Sequence, residues 1–150
     1  MSCCNNKHKT CHDKSCQRYY NTTAQAFAAN QTITLQIAGN KVVDSGVAID
    51  TDVSTFSISK SGLYHIVADA IVLTTTAGSG TLRILMNGIP LPCSARLVSL
   101  PLGAATEIHT ETEIVIECCC CGSNTFTFEF VSDTAAGSVI SLCTGMLKLA

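Results

Sequence analysis

Ten cysteines stand out among the residues that could do chemistry, and four of them are consecutive in the stretch "IECCCCGS", residues 116–123. A disulfide between neighbouring cysteines of a strand would be strained, because their Cα atoms lie about 3.8 Å apart and disulfides prefer about 5.5–6 Å. Adjacent strand residues also point to opposite faces. The run therefore suits separate partners, some within the subunit, such as Cys93 or Cys143, and some on another chain. A set of small buried thiols is the alternative interpretation.

The N-terminal stretch holds a second group of candidate ligands, which comprises Cys3, Cys4, Cys11, Cys16, His8 and His12. Zinc accepts four ligands of these types. The spacings of seven and five residues from Cys4 to Cys11 to Cys16 do not give the paired knuckles expected of zinc sites. We favour disulfide cross-links here over a metal site, with an unpaired tail as the remaining alternative. The candidates for disulfides between subunits are Cys3, Cys4, Cys11, Cys16, Cys118, Cys119, Cys120 and Cys121; those for internal disulfides are Cys93 and Cys143.

No constellation typical of an enzyme is visible. His65 lies between apolar residues and is interpreted as a structural wall residue, whereas His109 shares an acidic strand face with several glutamates and is expected to be solvated. The stretch "DTD", residues 50–52, is too short to supply the six or more oxygens of a calcium site. The stretch "TAGSG", residues 76–80, is expected to be a hairpin loop and not a phosphate loop. The sequence therefore predicts neither an enzyme nor a bound metal or cofactor.

Composition points to burial against other subunits. Of the residues, 47% are hydrophobic and only 13% are charged, well below the usual charged fraction of about 25%. Residues 1–20 hold four basic groups against one acidic group, a net charge of +3; the remainder holds five basic and ten acidic groups, a net charge of −5. The basic tail is either solvated or docked on an acidic body. An acidic body argues against a nucleic-acid partner, and the lack of an apolar run of about 20 residues argues against a membrane partner.

The chain reads as short β-rich runs separated by turn residues from about residue 31 onward. Strands at this spacing, with no helical period between them, predict an all-β antiparallel sandwich, and about eight of them favour a jelly roll. Residues 1–30 are predicted to be a cysteine-rich connector arm, and residues 31–150 the jelly-roll domain. The predicted strands are residues 31–37, 54–59, 62–75, 80–88, 95–100, 106–117, 124–132 and 138–149.

Two of these strands, residues 62–73 and 138–149, are apolar on both faces. Such a strand is either central in a two-layer core or covered by another chain. Because a sandwich of this size has no third layer, we favour the second interpretation, in which another chain covers the second face of each strand. The residues predicted to form this interface between subunits are Leu63, Val67, Ile71, Ile140, Leu142 and Met146.

Two stretches carry a resemblance to known families. "STFSISKSGLYHIVADAIV", residues 54–72, resembles the strand, turn and Gly-x-Tyr pattern of tumour-necrosis-factor-like and complement-type jelly rolls. "LRILMNGIPLP", residues 82–92, is similar more narrowly to the C-terminal domain of the collagen-like exosporium glycoproteins of spore-forming bacilli. The likeness extends loosely from Val42 to Ala150.

The resemblance implies a homotrimer, with the strands at 62–73 and 138–149 near the threefold axis. It also implies a spore-surface location and synthesis in the mother cell, in keeping with an N-terminus that lacks the apolar segment of a secretory signal. The collagen-like repeat of the family is absent, and the cysteine-bearing arm stands in its place. In plan, such an arm before a β-sandwich resembles the subunits of endospore appendage fibres, which link head to tail.

The expected function is therefore a structural subunit of a spore-surface fibre, in which stacked trimers are linked through the arm. Its expected partners are copies of itself, together with other exosporium or appendage anchor and tip proteins. The alternative is a terminal trimer that does not polymerise, or an adhesin-like binding module, anchored to the spore surface through its cysteine arm.

Overall fold

The computed structural model describes residues 16–39, 49–117 and 123–150. Over these residues it contains twelve strands, and no helix is long and apolar enough to cross a bilayer. The strands in chain order are β1 (Cys16–Asn21), β2 (Gln25–Phe27), β3 (Thr32–Thr34), β4 (Ile49–Thr51), β5 (Phe56–Ile58), β6 (Gly62–Thr76), β7 (Gly78–Met86), β8 (Ile89–Pro90), β9 (Arg96–Leu100), β10 (Ala105–Ile116), β11 (Asn124–Ser132) and β12 (Ala136–Lys148).

The strands form two antiparallel sheets. In the first sheet, β1 and β2 both pair with β12, which is followed by β6 and β10. In the second sheet, β3 and β5 pair with β11, β4 pairs with β5, and β7 joins β11 to β8 and β9. The chain crosses between the sheets several times, since β6, β10 and β12 belong to the first sheet, whereas β7 to β9 and β11 belong to the second. This is an antiparallel jelly-roll sandwich, as the sequence predicted.

The core follows from the two-residue period of the strands. Phe126, Phe128 and Phe130 of β11 are fully buried, and they alternate with half-buried polar and aliphatic residues. Across the core, Tyr64 and Ile66 of β6 are buried in the same alternating way. Full burial of side chains of this size contributes about 1.5–3 kcal/mol each. The stacked apolar faces of β11 and β6 therefore hold the sheets together.

The predicted domain boundary at residue 30 is wrong, because residues 16–30 belong to the sandwich. All six residues of β1 pair with β12, and Tyr19 packs against the core. Phe27 of β2 is buried, with its ring 4.7 Å from that of Phe130 between centroids. The rest of the predicted arm, residues 1–15, lies outside the described residues.

A register shift in β12 overturns the predicted orientation of two residues. Between Val139 and Ser141 the strand contains an extra residue, the half-buried Ile140. Beyond it, Leu142 and Met146 are 0% and 1% exposed and belong to the core. Their assignment to an interface between subunits is therefore wrong. A bulge reverses the side-chain alternation of a strand, and nothing in the polar-apolar pattern marked where this one occurs.

Truncations test the new boundary. Deletion of residues 1–15 should leave a cooperative unfolding transition, because all twelve described strands remain. Deletion of residues 1–30 should lower the free energy of unfolding strongly, because it unpairs one edge of β12 and removes Phe27, whose loss alone costs about 3–5 kcal/mol for a buried aromatic ring. Urea denaturation followed by circular dichroism measures both. Equal stability of the two truncated chains would show that β1 and β2 are not part of the domain.

Candidate self-association face

The outer face of the first sheet, on the side away from the core, carries the candidate site. Its residues alternate with the buried ones, and the strand register places them in rows that run across β1, β12, β6 and β10. The middle row consists of Arg18, Gly145, Val67 and Glu111. The row on one side of it consists of Cys16, Leu147, His65 and Glu113. The row on the other side consists of Tyr20, Cys143, Asp69 and His109.

Apolar side chains lie exposed on this face. Ile71 and Leu73 of β6 are 37% and 40% exposed, and Val115 of β10 and Tyr20 of β1 are 68% and 66% exposed. Antiparallel sheets usually present a polar face to water, so apolar side chains spread over this face make it a candidate site of interaction. The face therefore has the character of a surface that another protein surface covers. Leu63, Val67 and Ile71, three of the six predicted interface residues, lie on it.

A trough of about 380 Å³ crosses the middle of the face. Its floor is Gly145, which has no side chain and faces Val67 across the strands. A Cβ atom at Gly145 would lie 3.1 Å from Cγ1 of Val67, so a larger residue here would fill the trough. Its walls carry Arg18, His65, Asp69, His109, Glu111 and Leu147. The trough therefore offers an apolar floor between ionisable walls.

The ionisable residues of the trough form a chain of close contacts. His109 Nδ1 lies 2.5 Å from Asp69 Oδ1, and His109 Nε2 lies 3.4 Å from Glu111 Oε2. The same Glu111 oxygen lies 3.5 Å from His65 Nε2, and His65 Nδ1 lies 3.9 Å from Glu113. Each histidine thus contacts two carboxylates. Nowhere in residues 16–39, 49–117 and 123–150 do three or more metal-ligating side chains form a group that could hold an ion.

The contact with Asp69 raises the pKa of His109 above its ordinary value of 6.5. The main cause is the hydrogen bond to the Asp69 side chain, which partial burial opposes and the charges of Asp69 and Glu111 reinforce. A histidine at a surface of this kind changes charge close to neutral pH. The charge of the face therefore depends on pH in the physiological range.

The sequence placed the glutamates of β10 correctly on one face, but it missed the histidine–carboxylate chain. His65 was interpreted as a wall residue among apolar neighbours; it is instead half-buried on the outer face beside Glu111. Three of the four contacts join residues of β6 to residues of β10 that are 40 to 48 positions apart in the chain, and these contacts depend on strand register. Register is set by the fold as a whole, so no local pattern signals them.

Cysteines occur at three places in the described residues, and all three are free thiols. Cys16 and Cys143 lie on the outer face, in rows with Leu147 and Asp69. Cys93 lies exposed in the turn after β8, with a φ of 64°. The two candidates for internal disulfides, Cys93 and Cys143, are therefore not bonded to each other.

The other predicted disulfide residues fall outside the described residues, so their pairing stays a prediction. They are Cys3, Cys4, Cys11, Cys118, Cys119, Cys120 and Cys121.

The two undescribed cysteine segments attach to the same end of the sandwich. β1 begins at Cys16, in the row of His65 and Glu113 near the start of β6, and β10 ends at Ile116 opposite Gly62. Cys16 and the end of β10 are therefore about 14 Å apart across the sheet, three strand spacings of about 4.8 Å. The arm and the tetracysteine run do not leave from opposite ends.

Comparison with solved structures identifies the fold. The PRD1 vertex protein P5 matches with a TM-score of 0.63 and 19% identity, over 90% of this chain and 96% of that one. The globular domain of zebrafish complement 1qA protein matches with a TM-score of 0.60 and 12% identity, over 88% and 95% of the two chains. Murine APRIL matches with a TM-score of 0.54 and 12% identity, over 85% and 98%.

The fold is a jelly roll of the tumour-necrosis-factor-like and complement type, as the Gly-x-Tyr stretch suggested. At these identities the likeness concerns the fold alone. No family model matches the sequence, and no curated protein matches it.

The pKa of His109 can be measured by NMR titration of its imidazole protons. We expect a value above 6.5, and Asp69→Asn should move it toward the ordinary value because the main stabilising contact of the imidazolium is lost. Because the folded pKa is raised, the contribution of this contact to stability is fully present below about pH 6.5 and is lost as pH rises through the folded pKa. A wild-type value at or below 6.5 would contradict the contact.

Proposed function

We propose that the chain is a structural subunit that forms a homotrimer through the outer face of the first sheet, and that these trimers build a spore-surface fibre or appendage. The observation that carries the proposal is the group of apolar side chains on this face of β6, which are Val67, Ile71 and Leu73. The fold supports a structural role, because the similar structures include a viral vertex protein and a complement domain. The spore-surface location rests on the sequence resemblance.

The size of the outer face suits a stable contact. Four strands about 4.8 Å apart, with β10 being 12 residues long at about 3.3 Å per residue, make a face of roughly 20 Å by 40 Å. This is about 800 Å² per subunit, the area that each partner buries in a standard specific interface. The exposed side chains of Ile71 and Val115 would supply apolar contact area, and the trough at Gly145 would supply a socket.

Chain lengths limit how the arm could link trimers. Residues 1–15 span at most about 50 Å when fully extended, and β6, with 15 residues, is about 50 Å long. In a head-to-tail stack, equivalent ends of successive subunits are about one body length apart. Cys3 and Cys4 would reach the tetracysteine run of the next copy only with the arm nearly straight. Cys11 lies five residues before Cys16, so it can move at most about 17 Å from Cys16. It can therefore bond only to a tetracysteine run at the same end of the sandwich.

A second function draws support from this same-end geometry. An arm and a cysteine run at one end of the sandwich suit attachment at that end and leave the opposite end free. The turns near Ala77, Gly103 and Thr134 occupy the free end. This arrangement favours the alternative of a terminal trimer or binding module that is anchored through its cysteines and displays these turns. Negative-stain images of the purified protein distinguish the two: fibres support the first function and compact particles the second.

Substitution on the face tests the trimer. Val67→Asp should give a folded monomer, because a carboxylate would replace apolar surface at the centre of the contact. Val131→Asp is the matched control, since Val131 is a half-buried valine of β11 in the second sheet. Light scattering coupled to size exclusion measures the mass, and circular dichroism confirms the fold. A Val67→Asp protein as large as the wild type would refute self-association through this face.

Peptide mapping under non-reducing conditions tests the covalent links. The length of chain between each cysteine and the sandwich predicts two kinds of link. Cys11 and Cys16 should bond to the tetracysteine run within one assembly unit, and Cys3 and Cys4 should bond to the run of an adjacent unit. Fibres that survive denaturant and dissolve after added thiol would support covalent stacking. Free Cys3 and Cys4 in intact fibres would show that the arm holds the fibre without disulfides.

A further inference from the structure

We propose that self-association through the outer face takes up protons at His65 and His109, so that subunits associate more tightly at weakly acidic pH than at weakly basic pH. The proposal rests on the proposed function, since it concerns regulation of the same face. It uses the chain of histidine and carboxylate contacts that crosses the middle of that face.

The two histidines lie where association would bury them. Both line the trough beside Val67 and Leu147, and their side chains are 29% and 49% exposed in the single subunit. A second copy seated on the apolar side chains of β6 would remove water from these rings and from Asp69, Glu111 and Glu113 beside them. In a drier setting the interaction between these charges strengthens, and an unpaired carboxylate becomes more costly.

Charge on the face sets the direction of the effect. With both histidines neutral, the strands of the face carry four carboxylates, Asp69, Glu107, Glu111 and Glu113, against the guanidinium of Arg18, a net charge of −3. With both histidines protonated, the net charge is −1. Copies of one face that meet in a symmetric assembly repel each other less at the smaller charge. Protonation therefore favours association.

The other ionisable groups that face the histidines do not change this direction. Across β12 and β1 these are the thiols of Cys16 and Cys143, the Tyr20 phenol and Arg18. Among these types of side chain, imidazole is the one whose reference pKa lies between pH 5.5 and 8.

Linkage gives the size of the effect. If each subunit takes up one proton on association, the association constant per subunit changes by up to about tenfold per pH unit across the titration. Two protons per subunit would double this slope on a logarithmic scale. Between pH 8 and pH 6 we therefore expect the concentration at half-association to fall by about tenfold.

The test uses the full chain under reducing conditions, so that disulfide exchange does not contribute. Dilution series at pH 5.5, 6, 6.5, 7, 7.5 and 8, at constant ionic strength, are followed by sedimentation velocity to give the half-association concentration. His65→Gln and His109→Gln, singly and together, should flatten its dependence on pH. His8→Gln with His12→Gln is the matched control, because these two histidines lie in residues 1–15, and it should leave the slope unchanged.

The outcomes separate this proposal from the trimer itself. If the wild type associates through the face, as judged by Val67→Asp, but the association constant is independent of pH or falls toward acid, the pH coupling is refuted and the trimer stands. If the wild type stays monomeric at every pH, the proposed function fails and the coupling fails with it. A slope that persists in the double His65→Gln, His109→Gln protein would also overturn the assignment to these histidines.

Discussion

The structure depends on β6 carrying apolar side chains on both faces. In a two-layer sandwich each strand packs one face against the core. The core side chains of β6 are Tyr64, Ile66, Ala68, Ala70 and Val72, all of which are fully buried. Its other face, with Val67, Ile71 and Leu73, has no third layer above it in the single subunit. Since β6 lies between β12 and β10, this face is central in the first sheet and cannot be hidden at an edge. Cover by a second copy of the chain, as proposed, would bury both faces of this strand.

The neighbouring strands are arranged around this requirement. Gly145 opens space above β12 beside Val67, and the shift at Ile140 turns Leu142 and Met146 into the core while Cys143 and Leu147 face outward. β10 places charged residues beside the apolar side chains of β6, and two of the glutamates of β10 contact histidines. The face therefore carries apolar side chains beside charged ones, the two kinds of contact that protein interfaces combine. In the proposed assembly, the charged side chains would make the contact depend on pH and salt.

The sequence patterns predicted the fold and the apolar residues of β6 that lie on the outer face of the first sheet. Alternation identified the long strands and the doubly apolar character of residues 62–73, because a two-residue period is local and visible. It missed β1 and β2, whose polar sequence is held in place by pairing with β12 and by the rings of Tyr19 and Phe27. It misplaced Leu142 and Met146 because one inserted residue reverses the alternation. The contacts of Asp69, His109, Glu111 and His65 join distant strands in one register, which no local pattern contains.

Hydroxyl-radical footprinting tests the central claim, that copies of the chain cover the outer face of the first sheet. In the single subunit Val115 and Tyr20 are 68% and 66% exposed, nearly the same as Ile89 and Leu97 at 70% and 72%. The account predicts that assembly at high protein concentration protects Val115 and Tyr20 from oxidation and leaves Ile89 and Leu97 as reactive as in the Val67→Asp protein. Val115 and Tyr20 that are as reactive in the assembled wild type as in the Val67→Asp protein, or protection of Ile89 and Leu97 instead, would contradict it.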